Sequence, residues 1–141
     1  MSGDKFFLDT NILVYSFDPD TPAKAVIAEG LITRGLTSGL GAISYQVAQE
    51  FANVALRRFA DVMTTKELER YSFRVLFPLM KISSSPQLFL RALHLQAASR
   101  LSWYDSLIVA AALQGECTVL YSEDLQHLQR FDDLIVENPF R

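Results

Sequence analysis

The chain has 141 residues, half of them apolar, with only six glycines and five prolines, which fits one compact domain over residues 1–141 and excludes a disordered or fibrous chain. Thirteen basic against sixteen acidic side chains leave a net charge of −3, so a protein that grips nucleic acid by bulk positive charge is excluded and only local contacts remain. A single cysteine, Cys117, rules out an intrachain disulfide or a cysteine-rich zinc site and points to a reducing cytoplasm, with Cys117 itself in the core.

After Met1 to Lys5 the first apolar run, Phe6-Phe7-Leu8, is too short for an export signal and reads as a short buried strand. Asp9-Thr10-Asn11 follows it, then an apolar segment from Ile12 to Phe17 that reads as helix, so Asp9 sits on a strand-to-helix turn. Thr21 as N-cap, Pro22 at the first helical position and Gly35 as terminator bracket the next helix. Gly39 to Ser44 suggests a second strand, and Ser44 can cap a helix from about Tyr45 to Arg58. Thr64 with Glu67 makes a capping box for further helix, which Pro78 closes.

Met80-Lys81-Ile82 is a weak third strand, and Ser85-Pro86 opens a helix to about Arg100. Ser102 caps a helix that is apolar on nearly every side and stops at Gly115. Its run from Leu107 to Leu113 is the longest unbroken apolar stretch, far short of the roughly 20 residues a membrane span needs, so no membrane association is expected. Cys117 to Tyr121 is β-branched-rich and reads as a central strand, and Leu134-Ile135-Val136 as the last one. Strands alternating with helices predict a three-layer α/β/α domain with a mainly parallel central sheet.

In open parallel sheets, ligands bind beyond the carboxyl ends of the strands. Asp9 follows the first strand and Asp124 the Cys117–Tyr121 strand, which places both on one sheet edge; each could instead be a helix N-cap. Glu50 shares a helical stripe with Val47, Phe51 and Val54, so a carboxylate points toward the core, where it needs an arginine or a metal ion. Asp105 lies in the first turn of the most apolar helix, three residues after Ser102, in a spacing that also suits capping. No lysine or arginine lies within three residues of Asp9, Asp105 or Asp124. Converging acids without local cations describe a site for a hard divalent ion, with Thr10, Asn11 and Ser122 available to hydrogen-bond the carboxylates or an attacking water.

Four segments carry a family resemblance: Phe7-Leu8-Asp9-Thr10-Asn11, Ser44 to Phe51 around Glu50, Trp103 to Ala112 around Asp105, and Leu120 to Leu125 around Asp124. In order and separation the chain resembles PIN-domain ribonucleases, closest to the VapC toxins of toxin–antitoxin pairs. The resemblance implies an endoribonuclease dependent on Mg2+ or Mn2+, with Asp9, Glu50, Asp105 and Asp124 as catalytic metal ligands. RNA is then the substrate, a cognate antitoxin protein holds the enzyme inactive, and a homodimer is the expected assembly. Ser122 stands where threonine is common in the family, and Glu123 is an extra acid without an assigned role.

Two other PIN-type readings are a free-standing RNA-processing nuclease and an RNA-binding domain that has lost catalysis. A phospho-receiver signalling domain would also place acids after its strands, but it looks for a late lysine and paired acids after the first strand; here Lys81 is the last lysine and Asp9 stands alone. The pairs Arg57-Arg58 and Arg70/Arg74 could meet RNA phosphates, although solvated helix faces explain them as well. Trp103 and Tyr104 could stack on a base but suit the edge of the core. His94 and His127 are isolated from any second histidine or cysteine at metal-ligand spacing.

Overall fold

Phe6, Phe7 and Leu8 are buried on both faces, as a central strand demands, and form β1 (Phe6–Leu8). β2 (Gly41–Ser44) and β4 (Val119–Tyr121) pair with β1 in parallel on either side, with Phe7 opposite Ala42 and Leu120. β3 (Met80–Ile82) lies parallel outside β2, and β6 (Leu134–Glu137) parallel outside β4. These positions come from a computed structural model that describes residues 4–141; Met1, Ser2 and Gly3, part of the segment read as lacking an export signal, lie outside the described residues.

With β5 (Arg130–Phe131) outermost beside β6, the sheet order is β3-β2-β1-β4-β6-β5, so the chain works outward from β1 on one side and then returns to start β4 on the other. The reversal puts a crevice at the carboxyl ends of β1 and β4, the place where such sheets accept ligands. Helix α1 (Thr10–Tyr15) packs on both α2 (Pro22–Ser38) and α3 (Tyr45–Arg58), and α6 (Pro86–Ser99) packs on α7 (Trp103–Gln114), completing the three layers. Phe7, Leu8, Ile43, Leu120 and Val136 of the sheet and Val109, Ala110 and Ala112 of α7 are fully buried. No helix among the described residues is long and apolar enough to cross a membrane.

Several expected boundaries move, each for a local reason. α1 begins at Thr10 rather than Ile12, because the Asp9 side chain already accepts the Thr10 N–H and starts the helix. Gly35 does not end α2: the helix runs to Ser38, with Gly39 at φ 73° as its left-handed cap. Gly35 is needed for contact, since a Cβ placed there would lie 3.1 Å from the Gly41 Cα of β2. The helix that Pro78 was expected to close ends one residue beyond it. α4 (Thr65–Tyr71) loosens into a π-helical turn over Ser72–Leu76 and continues through the short α5 (Phe77–Leu79), which stops at β3. β4 starts two residues later than expected, because the Cys117 and Thr118 N–H groups bond to Ala112 and Lys5 carbonyls. β5 (Arg130–Phe131) was not foreseen; it forms an antiparallel hairpin with β6 through Asp132, which takes a left-handed φ of 54°.

Candidate active site

The short strands end at one level, so whatever follows them shares one edge. Asp9 follows β1 directly, and Ser122, Glu123 and Asp124 follow β4. The Asp9 N–H bonds to the Tyr121 carbonyl at 3.0 Å, stitching the two strand ends together. Asp9 is 5% exposed, and both carboxylate oxygens accept hydrogen bonds: Oδ1 from the Thr10 N–H at 2.7 Å and Oδ2 from the Ser122 hydroxyl at 2.7 Å. The Ser122 Oγ in turn accepts the Asp124 N–H at 3.2 Å, which fixes the start of the loop carrying Asp124.

Asp9 therefore caps α1, as the capping alternative has it, while its second oxygen is held by Ser122 at the end of β4. For Asp124 that alternative disappears, because irregular backbone and not helix follows it. Asp124 is exposed and its Oδ2 accepts from the Asn11 amide at 3.1 Å. Glu50 is half-buried on α3; its Oε1 accepts from the Thr10 hydroxyl at 2.6 Å and its Oε2 from the Gln46 amide at 3.3 Å. No arginine or lysine among the described residues pairs with Glu50. The same Gln46 amide reaches the Tyr104 carbonyl at 3.3 Å, tying α3 to the first turn of α7, where Ser102 caps the helix by accepting the Asp105 N–H at 3.1 Å.

Neutral donors thus orient these carboxylates while their charges remain uncompensated. Burial pushes the Asp9 carboxyl up to about 7; hydrogen bonds from Ser122 and Thr10 oppose the rise, and the negative charges of Asp124 and Glu50 add to it. The Asp105 carboxyl is raised by burial first, against a Ser102 hydrogen bond, with Asp124 and Glu50 again adding. Asp124 and Glu50 thus act on both Asp9 and Asp105, which places the four acids in one electrostatic neighbourhood. Among the described residues, however, no three histidine, cysteine or acidic side chains converge closely enough to enclose an ion by themselves.

Glu123, unassigned from sequence, belongs to a different network. Its Oε2 accepts from the Lys24 Nζ at 2.5 Å, and its Oε1 accepts from the Tyr15 hydroxyl. The Lys24 ammonium also sits 4.5 Å from the Tyr15 ring centroid. Burial raises the Glu123 carboxyl, but the bonds from Lys24 and Tyr15 outweigh it and the net displacement is downward. The acid loop is thereby anchored to α1 and α2. Gln46 and Lys24 both escaped sequence reasoning; only Gln46 left a signal, its i, i+4 spacing to Glu50.

Two clefts of similar size border this half of the molecule. One, of about 460 Å³, is lined by Thr10, Asn11, Val14, Val54, Arg58 and Asp124 among others. The other, of about 410 Å³, lies away from the acids and carries Arg70 and Arg74. Trp103 packs edge-on against Phe89, and the His127 Nδ1 accepts the Asn138 N–H, both structural roles.

The PIN domain profile matches residues 6–134. No curated protein sequence matches the chain. Among solved structures, a toxin–antitoxin complex from Klebsiella pneumoniae contains a chain with TM-score 0.68 at 19% identity, the match covering 96% of this chain and 98% of that one. VapBC2 from Rickettsia felis, bound to a DNA fragment from its promoter, gives TM-score 0.57 at 20% identity, covering 94% and 96% respectively. At such identities the similarity establishes a shared fold.

Proposed function

This chain belongs to the PIN domain family, and from that premise we propose that it is an endoribonuclease dependent on Mg2+ or Mn2+, the toxin of a toxin–antitoxin pair, acting at Asp9, Glu50, Asp105 and Asp124. The observation that carries the reading is Asp9, a buried carboxylate beside Asp124 and Glu50 that meets only neutral donors. A buried acid with a purely structural role is normally paired with a cationic side chain. The donor set fits a hard divalent ion, being all oxygen, and magnesium characteristically takes one or two carboxylates directly while keeping several waters. That number agrees with an arrangement in which no three acids converge.

What such an ion supplies when bound is activation of a water and neutralisation of charge developing on the phosphodiester. The chain's own groups hold the ligands for it. Ser122 and the Thr10 N–H fix both oxygens of Asp9, the Thr10 hydroxyl and Gln46 fix Glu50, Asn11 fixes Asp124, and the Ser102 cap sets the turn presenting Asp105. The shared fold with two toxin–antitoxin complexes supports the toxin part of the reading. So does exposed apolar surface of a kind that partners cover, including Phe73 and Phe77 around the π-helical turn and Phe89, Leu90 and Leu93 on α6. An antitoxin and a second copy of the chain are the proposed occupants, and the reducing cytoplasm is the proposed setting.

The test is cleavage of labelled RNA by protein freed of any partner. Cleavage should require Mg2+ or Mn2+ and fall to background in Asp105→Asn; undiminished cutting in excess chelator refutes the mechanism. Expression alone should arrest a host. If it is harmless and the protein copurifies with nothing, a free-standing RNA-processing nuclease replaces the toxin.

A further inference from the structure

Glu50, Val54 and Arg58 recur at i, i+4 and i+8, so α3 presents an acid, an aliphatic and a base along one stripe. Val54 and Arg58 of that stripe line the 460 Å³ cleft, as does Thr10, whose hydroxyl donates to Glu50. Thr10, Asn11 and Asp124 form its acidic end, Val14 and Val54 its apolar walls, and Arg58 its far end. At 1.5 Å per residue, Glu50 and Arg58 stand about 12 Å apart along the helix. Arg58 is exposed, and among the described residues it makes no ion pair or hydrogen bond; its guanidinium lies 5.2 Å from the Phe59 ring centroid. Asp18, the other carboxylate bordering the cleft, is buried, and its Oδ1 accepts the Asp20 N–H.

We propose that this cleft is a nucleotide subsite in which Arg58 takes a phosphate of the RNA strand beside the one held at the acidic end, with the intervening sugar and base against Val14 and Val54. The inference rests on the ribonuclease reading above. Charge decides between occupants. An acidic peptide satisfies Arg58 but is repelled by the carboxylates, and a basic peptide does the reverse. A strand of phosphates suits both ends once the acids hold a cation. The volume lies within the range of small-molecule sites and has room for a nucleotide.

The experiment measures binding of a fluorescein-labelled single-stranded RNA decamer by anisotropy in Ca2+, which occupies oxygen ligands at the acidic end without replacing Mg2+ or Mn2+ in turnover, across a series of KCl concentrations. Arg58→Ala should raise Kd about 5- to 10-fold and lower the slope of log affinity against log salt by about 1. Arg58→Glu should lose more, Arg58→Lys should keep most of the affinity, and Arg57→Ala should bind as wild type. Because Arg58 is exposed, these variants should fold as wild type does, which a melting curve verifies. Unchanged affinity and slope in Arg58→Ala overturn the proposal, and so does unchanged RNA binding with loss of a copurifying protein partner. If wild type cleaves no RNA with Mg2+ or Mn2+ but Arg58→Ala still loses RNA binding, the ribonuclease reading falls and the subsite stands.

Discussion

Replacing Asp9 by asparagine removes one charge from the acidic centre while keeping its shape. The amide oxygen can accept the Thr10 N–H in place of Oδ1, and the amide nitrogen can donate to Ser122, whose hydroxyl accepts as readily as it donates. In the folded protein the Asp9 carboxyl titrates at about 7 against an ordinary 3.8. At about 1.4 kcal/mol per pH unit, its ionisation works against folding by about 4 kcal/mol. Water entry and relaxation of the neighbouring acids recover some of this, leaving about 2–4 kcal/mol. Below pH 3.8 the group is protonated in both states and has no effect. Between 3.8 and 7 the unfolded chain ionises while the fold still holds the proton, so stability falls as pH rises, and above 7 the full penalty is present. In chelator at pH 8, Asp9→Asn should therefore melt higher than wild type by about 6–12 °C, taking roughly 3 °C per kcal/mol for a chain of this size. At pH 4 the difference should nearly vanish. Thermal melts of both proteins at pH 4, 5.5 and 8 decide it. A variant less stable than wild type at pH 8, or a gap independent of pH, refutes the reasoning. Saturating Mg2+ should shrink or reverse the pH 8 gap, because the ion binds only the folded acids.

Glu50→Gln keeps an oxygen to accept the Thr10 hydroxyl and has nearly the same helix propensity, so it should fold. Outer-shell partners of a metal alone carry 10- to 100-fold, and losing a ligand carboxylate should lower RNA cleavage by at least about 100-fold and reduce the Mg2+-induced rise in melting temperature; near-normal turnover would mean that Glu50 serves only to hold Thr10. Gly41→Ala would put a Cβ 2.5 Å from the Gly35 Cα, forcing α2 off β2 at a cost of about 1–3 kcal/mol or more. Urea unfolding with an unchanged midpoint would contradict that close approach.

The layered fold was legible because Phe6-Phe7-Leu8 and the apolar α7 announce buried elements, while Ser44, Thr64, Ser85 and Ser102 each announce a helix start that the structure uses. Stops were harder to read. A glycine ends a helix or lets a neighbour approach, and only the position of β2 reveals that Gly35 does the second and Gly39 the first. Pro78 was the better signal, since the helix ends one residue beyond it. The β5–β6 hairpin was missed because its first strand is two residues long and offers no alternation to detect.

Within the site, the four acids and the hydroxyl and amide donors next to them could be read locally, since strand ends in a parallel sheet share an edge. What sequence could not provide was the sorting of acids. Glu123 and Asp124 are adjacent, yet Glu123 receives an ammonium from Lys24, 99 residues away, and a phenol from Tyr15, while Asp124 receives a single amide from Asn11. The pKa displacements follow that division: Glu123 is pulled down by the bonds from Lys24 and Tyr15, whereas Asp9 and Asp105 are pushed up by burial first and then by the charges of Asp124 and Glu50. Burial raises Glu123 as well, but Glu123 is less buried than Asp9, and the hydrogen bonds from Lys24 and Tyr15 outweigh that rise. The fold has a lysine within reach of this loop and spends it on Glu123. Asp9 and Asp105 have no cation paired with them among the described residues, and that missing counter-charge, more than the presence of acids as such, is what supports the proposed divalent-ion site.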